Sequence, residues 1–256
     1  MGQIKTPAEI SIMREAGRVV ANALAAVKAA AAVGMTLKEL DAVAATVIAD
    51  AGATPAFLNY HPHWANTPFT GTICTSVNDA IIHGIPTDYV LADGDLVSID
   101  CGAFVDGWCG DAAISFVVGT PADEDLALIA ATEAALARGI EAARIGNKMG
   151  DVAYAIGGEA RRAGYSILAD HGGHGVGRSM HEEPSVPNDG RPGRGIKLEE
   201  GMVIAIEPML ILGKKKDDYY YDDDEWTLRT ANGRRAAHSE HTIAITADGP
   251  VILTLP

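Results

Sequence analysis

The run 96–117, LVSIDCGAFVDGWCGDAAISFV, constrains the fold more than any other part of the chain. Stretches rich in β-branched and aromatic residues flank Asp106-Gly107, a dipeptide suited to a two-residue turn, so the run predicts a tight antiparallel hairpin. With such a loop Asp100 pairs with Ala113, and Asp111 stands two residues from Ala113. Both carboxylates then lie on one side of the pleat as diagonal neighbours. Aspartate is unfavourable in strands, yet Asp100 follows Leu96, Val97 and Ile99, and Asp111 precedes Ile114 and Phe116. A lone strand aspartate usually marks a turn or a solvent-facing edge. A pair of them, interrupting apolar stretches on one hairpin, requires something to compensate for burial, and a cation does so.

The rest of the chain supplies the frame. Thr6, Pro7 and Glu9 form a helix start in which the hydroxyl caps an N–H, Pro fills the first turn and Glu reaches back. Ile10, Met13, Gly17, Val20, Leu24 and Val27 keep helical spacing up to the stop at Gly34. Thr36 and Glu39 open a second helix that runs to about Gly52. Beyond residue 120 the order recurs, with a helix through DEDLALIAATEAALARGIEAAR, a stop at Gly146 and a shorter helix ending near Gly164. An offset of 112 residues aligns Gly34 with Gly146, Leu37 with Met149, Glu39 with Asp151, Leu40 with Val152 and Gly52 with Gly164. Strand-like segments follow each helix pair: TICTSV and LVSIDCGAFV, then MVIAIEPMLI and AHSEHTIAIT. A second hairpin turn is expected at Asn232-Gly233. The expectation is an α+β fold with paired helices on a curved, mainly antiparallel sheet. Residues 1–256 form a single domain whose halves span about 1–119 and 120–256.

Composition narrows the setting. The net charge of -14 repels nucleic acid and anionic lipid, so neither DNA nor a membrane is an expected partner. No apolar run is long enough to span a bilayer and the opening MGQIKT lacks signal-peptide character, which places the chain in the cytoplasm. Gly2 and Thr6 fit a loose myristoylation pattern, but Thr6 already has a use as a cap. Cys74, Cys101 and Cys109 are an odd number without metal-type spacing and read as reduced thiols. Lys214, Lys215 and Lys216 read as a solvated hairpin tip rather than a docking site. No heptad run or surplus apolar segment is left to pair copies, so a monomer is expected.

Three further side chains stand where the hairpin aspartates stand. His174 lies within HGGHGVGR, Glu207 interrupts VIAIEPML and Glu240 interrupts AHSEHTIAIT. Each alone is as consistent with a structural role as with a functional one. Together with Asp100 and Asp111 they make a set of hard oxygen donors plus one imidazole, suited to manganese, iron(II), cobalt(II) or zinc. Four carboxylates balance two divalent charges, and an ion pair roughly 3.5–4 Å apart can hold a hydroxide for amide hydrolysis.

At this point the chain resembles the type I methionine aminopeptidases, which have the pita-bread fold of two pseudo-symmetric halves. The segments that carry the resemblance are TSVNDAIIHGIP, the hairpin, GGHGVGRSMHEEP, EEGMVIAIEP and SEHTIAIT, in the family's order. The resemblance implies that Asp111 and Glu240 bridge two metals, that Asp100 chelates one, and that His174 and Glu207 complete the other. It implies that Glu207 also shuttles a proton, and that His83 and His181 contact substrate and steady the developing oxyanion. It places Phe57, Tyr60, Phe69, Cys74, Met180, His83 and Trp226 around a methionine side chain, and a monovalent cation near Asn78. Departures from the pattern are the longer HPHWANTPFTGTI segment after Tyr60, Met180 in place of an aromatic, and AAHSEHT where SAQFEHT is usual. His238 in that last segment lies behind Glu240, where it tunes metal affinity.

The implied activity is removal of the initiator methionine from nascent chains, before a small second residue, by attack of a metal-activated hydroxide on the first peptide bond. Ribosome docking is left open by the sequence. Prolidases and X-Pro aminopeptidases share a similar ligand set but usually carry an added N-terminal domain. A non-catalytic binding relative is the other alternative, and the complete ligand set argues against it.

Overall fold

The computed structural model describes residues 3–63, 65–214 and 218–256. Gly2 of the myristoylation pattern and Lys215 and Lys216 of the lysine run lie outside them. Helices α1 (Pro7–Ala30) and α2 (Leu37–Asp50) precede β1 (Thr54–Pro55), β2 (Ile73–Val77), β3 (Ala80–Ile82), β4 (Leu96–Val105) and β5 (Trp108–Val117). Helices α3 (Asp123–Ala142) and α4 (Met149–Ala163) precede β6 (Ser166–Ile167), β7 (Gly172–Gly175), β8 (Glu182–Pro187), β9 (Val203–Ile206) and β10 (Met209–Ile211). Five strands complete the chain: β11 (Tyr219–Tyr221), β12 (Leu228–Thr230), β13 (Ala236–His238), β14 (Glu240–Thr246) and β15 (Gly249–Ile252).

Local chemistry sets the helix starts. Glu9 accepts from the Thr6 N–H at 2.7 Å while the Thr6 hydroxyl accepts from the Glu9 N–H, and Glu39 and Thr36 repeat the arrangement. The offset of 112 has a geometric counterpart. Gly34 and Gly146 take φ of 94° and 97°, Gly52 and Gly164 take 68° and 86°, and Asp151 holds the Lys148 N–H as Glu39 holds that of Thr36.

The main sheet has nine strands in the order β1-β4-β5-β14-β9-β7-β8, with β2 added on β4 and β15 on β14, all paired antiparallel. Strand alternation decides what each face carries. Val97, Ile99, Cys101, Ala112 and Phe116 pack under Val20, Leu24, Val27, Leu40 and Ile48 of α1 and α2. Ile204, Ile206, Ile243 and Ile245 pack under Leu128, Leu136, Val152 and Ile156 of α3 and α4. Each such fully buried aliphatic side chain stabilises the fold by about 1.5–3 kcal/mol. The opposite face of the same strands carries Asp100, Asp111, Ala113 and Glu240.

Two expectations need correction. MVIAIEPMLI and AHSEHTIAIT are not continuous strands: the first breaks at Glu207-Pro208 between β9 and β10, the second at Ser239 between β13 and β14. Pro208 has no N–H for the ladder, and the chain crosses there from the main sheet to the small sheet β13-β10-β6. The breaks meet, with the Ser239 N–H donating to the Pro208 carbonyl at 3.3 Å. Asn232-Gly233 does not join paired strands either, because β12 pairs β11 and β3 whereas β13 pairs β10.

Candidate metal centre

The hairpin places the first two acids as its turn requires. Asp106 and Gly107 both take positive φ, 49° and 74°, which matches the right-handed strand twist. The register follows: Asp100 pairs with Ala113, and Gly102 with Asp111. Glu240 pairs with Ala113 from the other side, and Cys74 with Asp100. The small Ala113 thus separates two carboxylates in one row across three strands. Glu207 enters from the break after β9, where the buried Asn188 amide donates to its carbonyl at 2.9 Å. His174 is carried by β7, whose Gly173 has no room for a side chain because a Cβ there would lie 2.0 Å from the Ala205 carbonyl oxygen.

All five predicted ligands converge. His174 Nε2 lies 3.8 Å from Asp111 Oδ2 and 3.7 Å from Glu207 Oε1. Ligand atoms of Asp111, His174 and Glu240 lie within 4.8 Å of one another, as do those of Glu207, His238 and Glu240. Asp111, His174 and Glu240 are buried, while Asp100 and Glu207 open partly to the cleft.

The donor set fits divalent ions on an internal observation. Asp100 Oδ1, Asp111 Oδ1 and Glu240 Oε1 are buried without a hydrogen-bond partner, and among the described residues no lysine or arginine pairs with any of the four carboxylates. Buried charges without partners are strongly unfavourable. Burial accordingly raises the Asp100 carboxyl to about 7, with His238 opposing and Glu207 adding to the shift. Burial, and then the charges of neighbouring carboxylates, push Asp111 and Glu240 well above the usual range. Burial also acts on Glu207, but the imidazoles of His238, His174 and His83 outweigh it and hold that carboxyl low. Burial, and then the charges of Asp100, Asp111 and Glu240, raise the Cys74 thiol well above its usual range.

The centre forms one end of a cavity of about 330 Å³. Phe57, Tyr60, Phe69, Cys74, Met180, His83, His181 and Trp226 all line it. Phe69 stands edge-on to Trp226 at 5.2 Å and to Phe57 at 6.3 Å. The longer segment after Tyr60, of which Trp64 lies outside the described residues, is tied at its base, where Asn59 N–H donates to the Phe69 carbonyl and Phe69 N–H to that of Tyr60. Asn66 clips the loop to Glu225 at 2.9 Å, and the Trp226 indole donates to the Thr67 carbonyl. Pro62 and His63 of this loop also line the cavity, which sequence reasoning missed. The only signal for them was the loop's extra length.

The two substrate histidines reach the cavity by different routes. His83 takes φ of 60° and its buried Nδ1 has no partner. The His181 ring lies tilted against His174, centroids 4.2 Å apart, and its Nδ1 meets the Tyr60 hydroxyl at 2.9 Å. Loss of water lowers His83 to about 4 against the pull of Glu207, and lowers His181 to about 3 with His174 adding to the shift. Both rings are therefore neutral near pH 7. Asn78 is engaged locally: its amide donates to Asp95, its side-chain oxygen accepts from the Leu96 N–H, and its carbonyl accepts from the Ala236 N–H.

Comparison with known proteins agrees with this geometry. Residues 11–247 match metallopeptidase family M24. Methionine aminopeptidase 1 of Mycobacterium tuberculosis is 52% identical over 258 residues, covering 98% of this chain and 94% of that protein. The crystal structure of methionine aminopeptidase from Thermotoga maritima superposes with a TM-score of 0.94 at 38% identity, covering all of both chains. Prolidase from Pyrococcus furiosus superposes with a TM-score of 0.78 at 25% identity, and this chain covers 65% of it. The chain belongs to metallopeptidase family M24, with the pita-bread fold, and within that family it groups with the methionine aminopeptidases.

Proposed function

We propose that this chain is an aminopeptidase that uses two divalent ions to remove the N-terminal methionine from nascent polypeptides, with a small second residue preferred. The observation that carries the reading is the buried cluster of partnerless carboxylate oxygens at one end of a cavity with aromatic walls. Asp100, Asp111, His174, Glu207 and Glu240 would hold the ions. When bound, the ions would polarise the scissile carbonyl and make water a competent nucleophile near neutral pH. Manganese, cobalt(II), iron(II) and zinc suit the donors.

The remaining work falls to the protein. Glu207, the carboxylate held ionised in the ion-free cleft, takes a proton from water and delivers it to the leaving amine. His83 and His181, neutral and facing the cavity, donate to the oxygen that gains charge as the carbonyl becomes tetrahedral. The Tyr60 hydroxyl meets Nδ1 of His181 at 2.9 Å; when it donates there, the proton of His181 sits on Nε2, the nitrogen free to donate to that oxygen. Phe57, Tyr60, Phe69, Cys74, Met180 and Trp226 hold the methionine side chain. Residues 1–256 act as one catalytic unit whose halves, about 1–119 and 120–256, supply different ligands. The unit works as a cytoplasmic monomer with only transient ribosome contact, and a monovalent cation sits near Asn78. No helix among the described residues is long and apolar enough to cross a membrane.

The direct test incubates ion-free protein with Met-Ala-Ser and each metal in turn, beside an Asp111→Ala control and an Ala-Pro-Ser peptide. Metal-dependent release of methionine, absent in the control, supports the reading. Cleavage of Ala-Pro-Ser instead would reassign the chain to the X-Pro peptidases.

A further inference from the structure

The departure at His238 places an imidazole somewhere more consequential than behind a ligand. His238 is the last residue of β13 and pairs with Met209 of β10, beside the two strand breaks that carry Glu207 and Glu240. Its backbone is clamped. The N–H donates to Ser115 Oγ at 3.0 Å and to Ser98 Oγ at 3.3 Å, the carbonyl accepts from Ser115 Oγ at 2.7 Å, and the two hydroxyls meet at 2.8 Å. All three residues are buried, with His238 only 2% exposed. The ring is thereby aimed at Glu207 and Glu240, and its Nε2 has no hydrogen-bond partner.

That nitrogen lies 3.5 Å from Glu207 Oε2 and 3.9 Å from Glu240 Oε2. At 3.5 Å the first stands at the outer limit of a hydrogen bond, and at 3.9 Å the second lies beyond it. Donors each about 2.0–2.2 Å from one ion, at tetrahedral to trigonal angles, sit roughly 3.3–3.8 Å apart. Glu207 therefore presents one carboxylate oxygen to each of two imidazoles, Oε1 to His174 at 3.7 Å and Oε2 to His238 at 3.5 Å. A similar division appears in two compact triads of the cluster, neither of which includes Asp100. One compact triad comprises Asp111, His174 and Glu240, the other Glu207, His238 and Glu240, and Glu240 belongs to both.

We propose that His238 is itself a metal ligand, so that each of the two ion positions has an imidazole of its own. This rests on the two-ion reading above. A centre with two nitrogen donors favours borderline ions such as zinc, cobalt(II) and iron(II) over manganese and magnesium, compared with a centre that has one. The buried Nε2 of His238 and the buried Oε1 of Glu240 both lack hydrogen-bond partners, which a shared ion would satisfy.

The test uses the full chain loaded with two equivalents of cobalt(II) and reads the paramagnetically shifted, solvent-exchangeable imidazole N–H protons by NMR. Two such signals are expected in the native protein and one in His238→Gln, which keeps a polar side chain of comparable reach. Chelator competition should show one of the two cobalt affinities weakened by tenfold or more in the variant, with the other little changed. A single signal in native protein that holds two ions overturns the inference and leaves the two-ion reading standing. Failure of the native protein to bind cobalt overturns both. The native count decides the matter even if the variant does not fold.

Discussion

At the scale of single residues, the side chains with the clearest expected effects are the two histidines that face the cavity without belonging to the ligand set. His83→Ala and His181→Ala should each lower kcat/KM by about 10²–10³-fold, the range for loss of one oxyanion donor. Steady-state kinetics beside elemental analysis checks this, and the metal content should stay at two ions in both variants. Tyr60→Phe should mimic a milder His181→Ala, because it removes the hydroxyl that fixes the ring. Asp100 and Asp111 were conspicuous in the sequence because each interrupts an apolar strand, whereas Glu207 and Glu240 stand at strand breaks inside segments that read as apolar. His83 and His181 carry no such signal, and a loop histidine looks the same whether or not it faces a cavity. Pro62 and His63 were illegible for the same reason.

At the scale of elements, packing and capping should separate cleanly in experiment. Thr36→Ala removes the cap of α2 and should cost about 1 kcal/mol of stability with kcat unchanged, since α2 lies on the face away from the cleft. Gly173→Ala is the opposite case. Its new Cβ would meet the Ala205 carbonyl at 2.0 Å, so β7 must shift and carry His174 with it. Chemical denaturation should show a loss of about 1–3 kcal/mol, and ion titration should show weakened binding in the same variant. The hairpin register was readable to the residue from Asp106-Gly107, because that turn leaves no freedom in pairing. The breaks at Glu207-Pro208 and Ser239 were not read from hydrophobic pattern, which continues across both. Pro208 was a usable signal, whereas nothing in Ser239 marks a change of sheet. Those unread breaks put Glu207 and Glu240 at a corner rather than in mid-strand, where no neighbouring pair could have brought His238 alongside them.

For the whole molecule, the crowded acids make stability depend on pH in a direction that metal should reverse. Burial raises Asp100 to about 7 in the ion-free fold, against an ordinary value of about 4 for an unfolded aspartate. Between those values the folded chain holds more protons than the unfolded one, so its stability falls as pH rises. Asp111 and Glu240, also shifted upward, act in the same sense. Glu207 is shifted downward and its contribution is complete above the ordinary glutamate range. Ions bind the deprotonated carboxylates, so the gain in Tm on loading should be larger at pH 7.5 than at pH 5. Thermal denaturation with and without metal at both values checks this.

In the chain between β5 and α3, Val118 is buried and residues 119–122 are exposed. On its N-terminal side lie Asp100 and Asp111, on the other His174, Glu207 and Glu240, and across the joint Glu240 and His241 pair with Ala113 and Ala112. A chain divided after Thr120 becomes two pieces, each with an incomplete claim on the metals. Fused to a bait and its prey, the pieces would turn methionine release from a fluorogenic peptide into a readout of encounter, silent until the two halves meet.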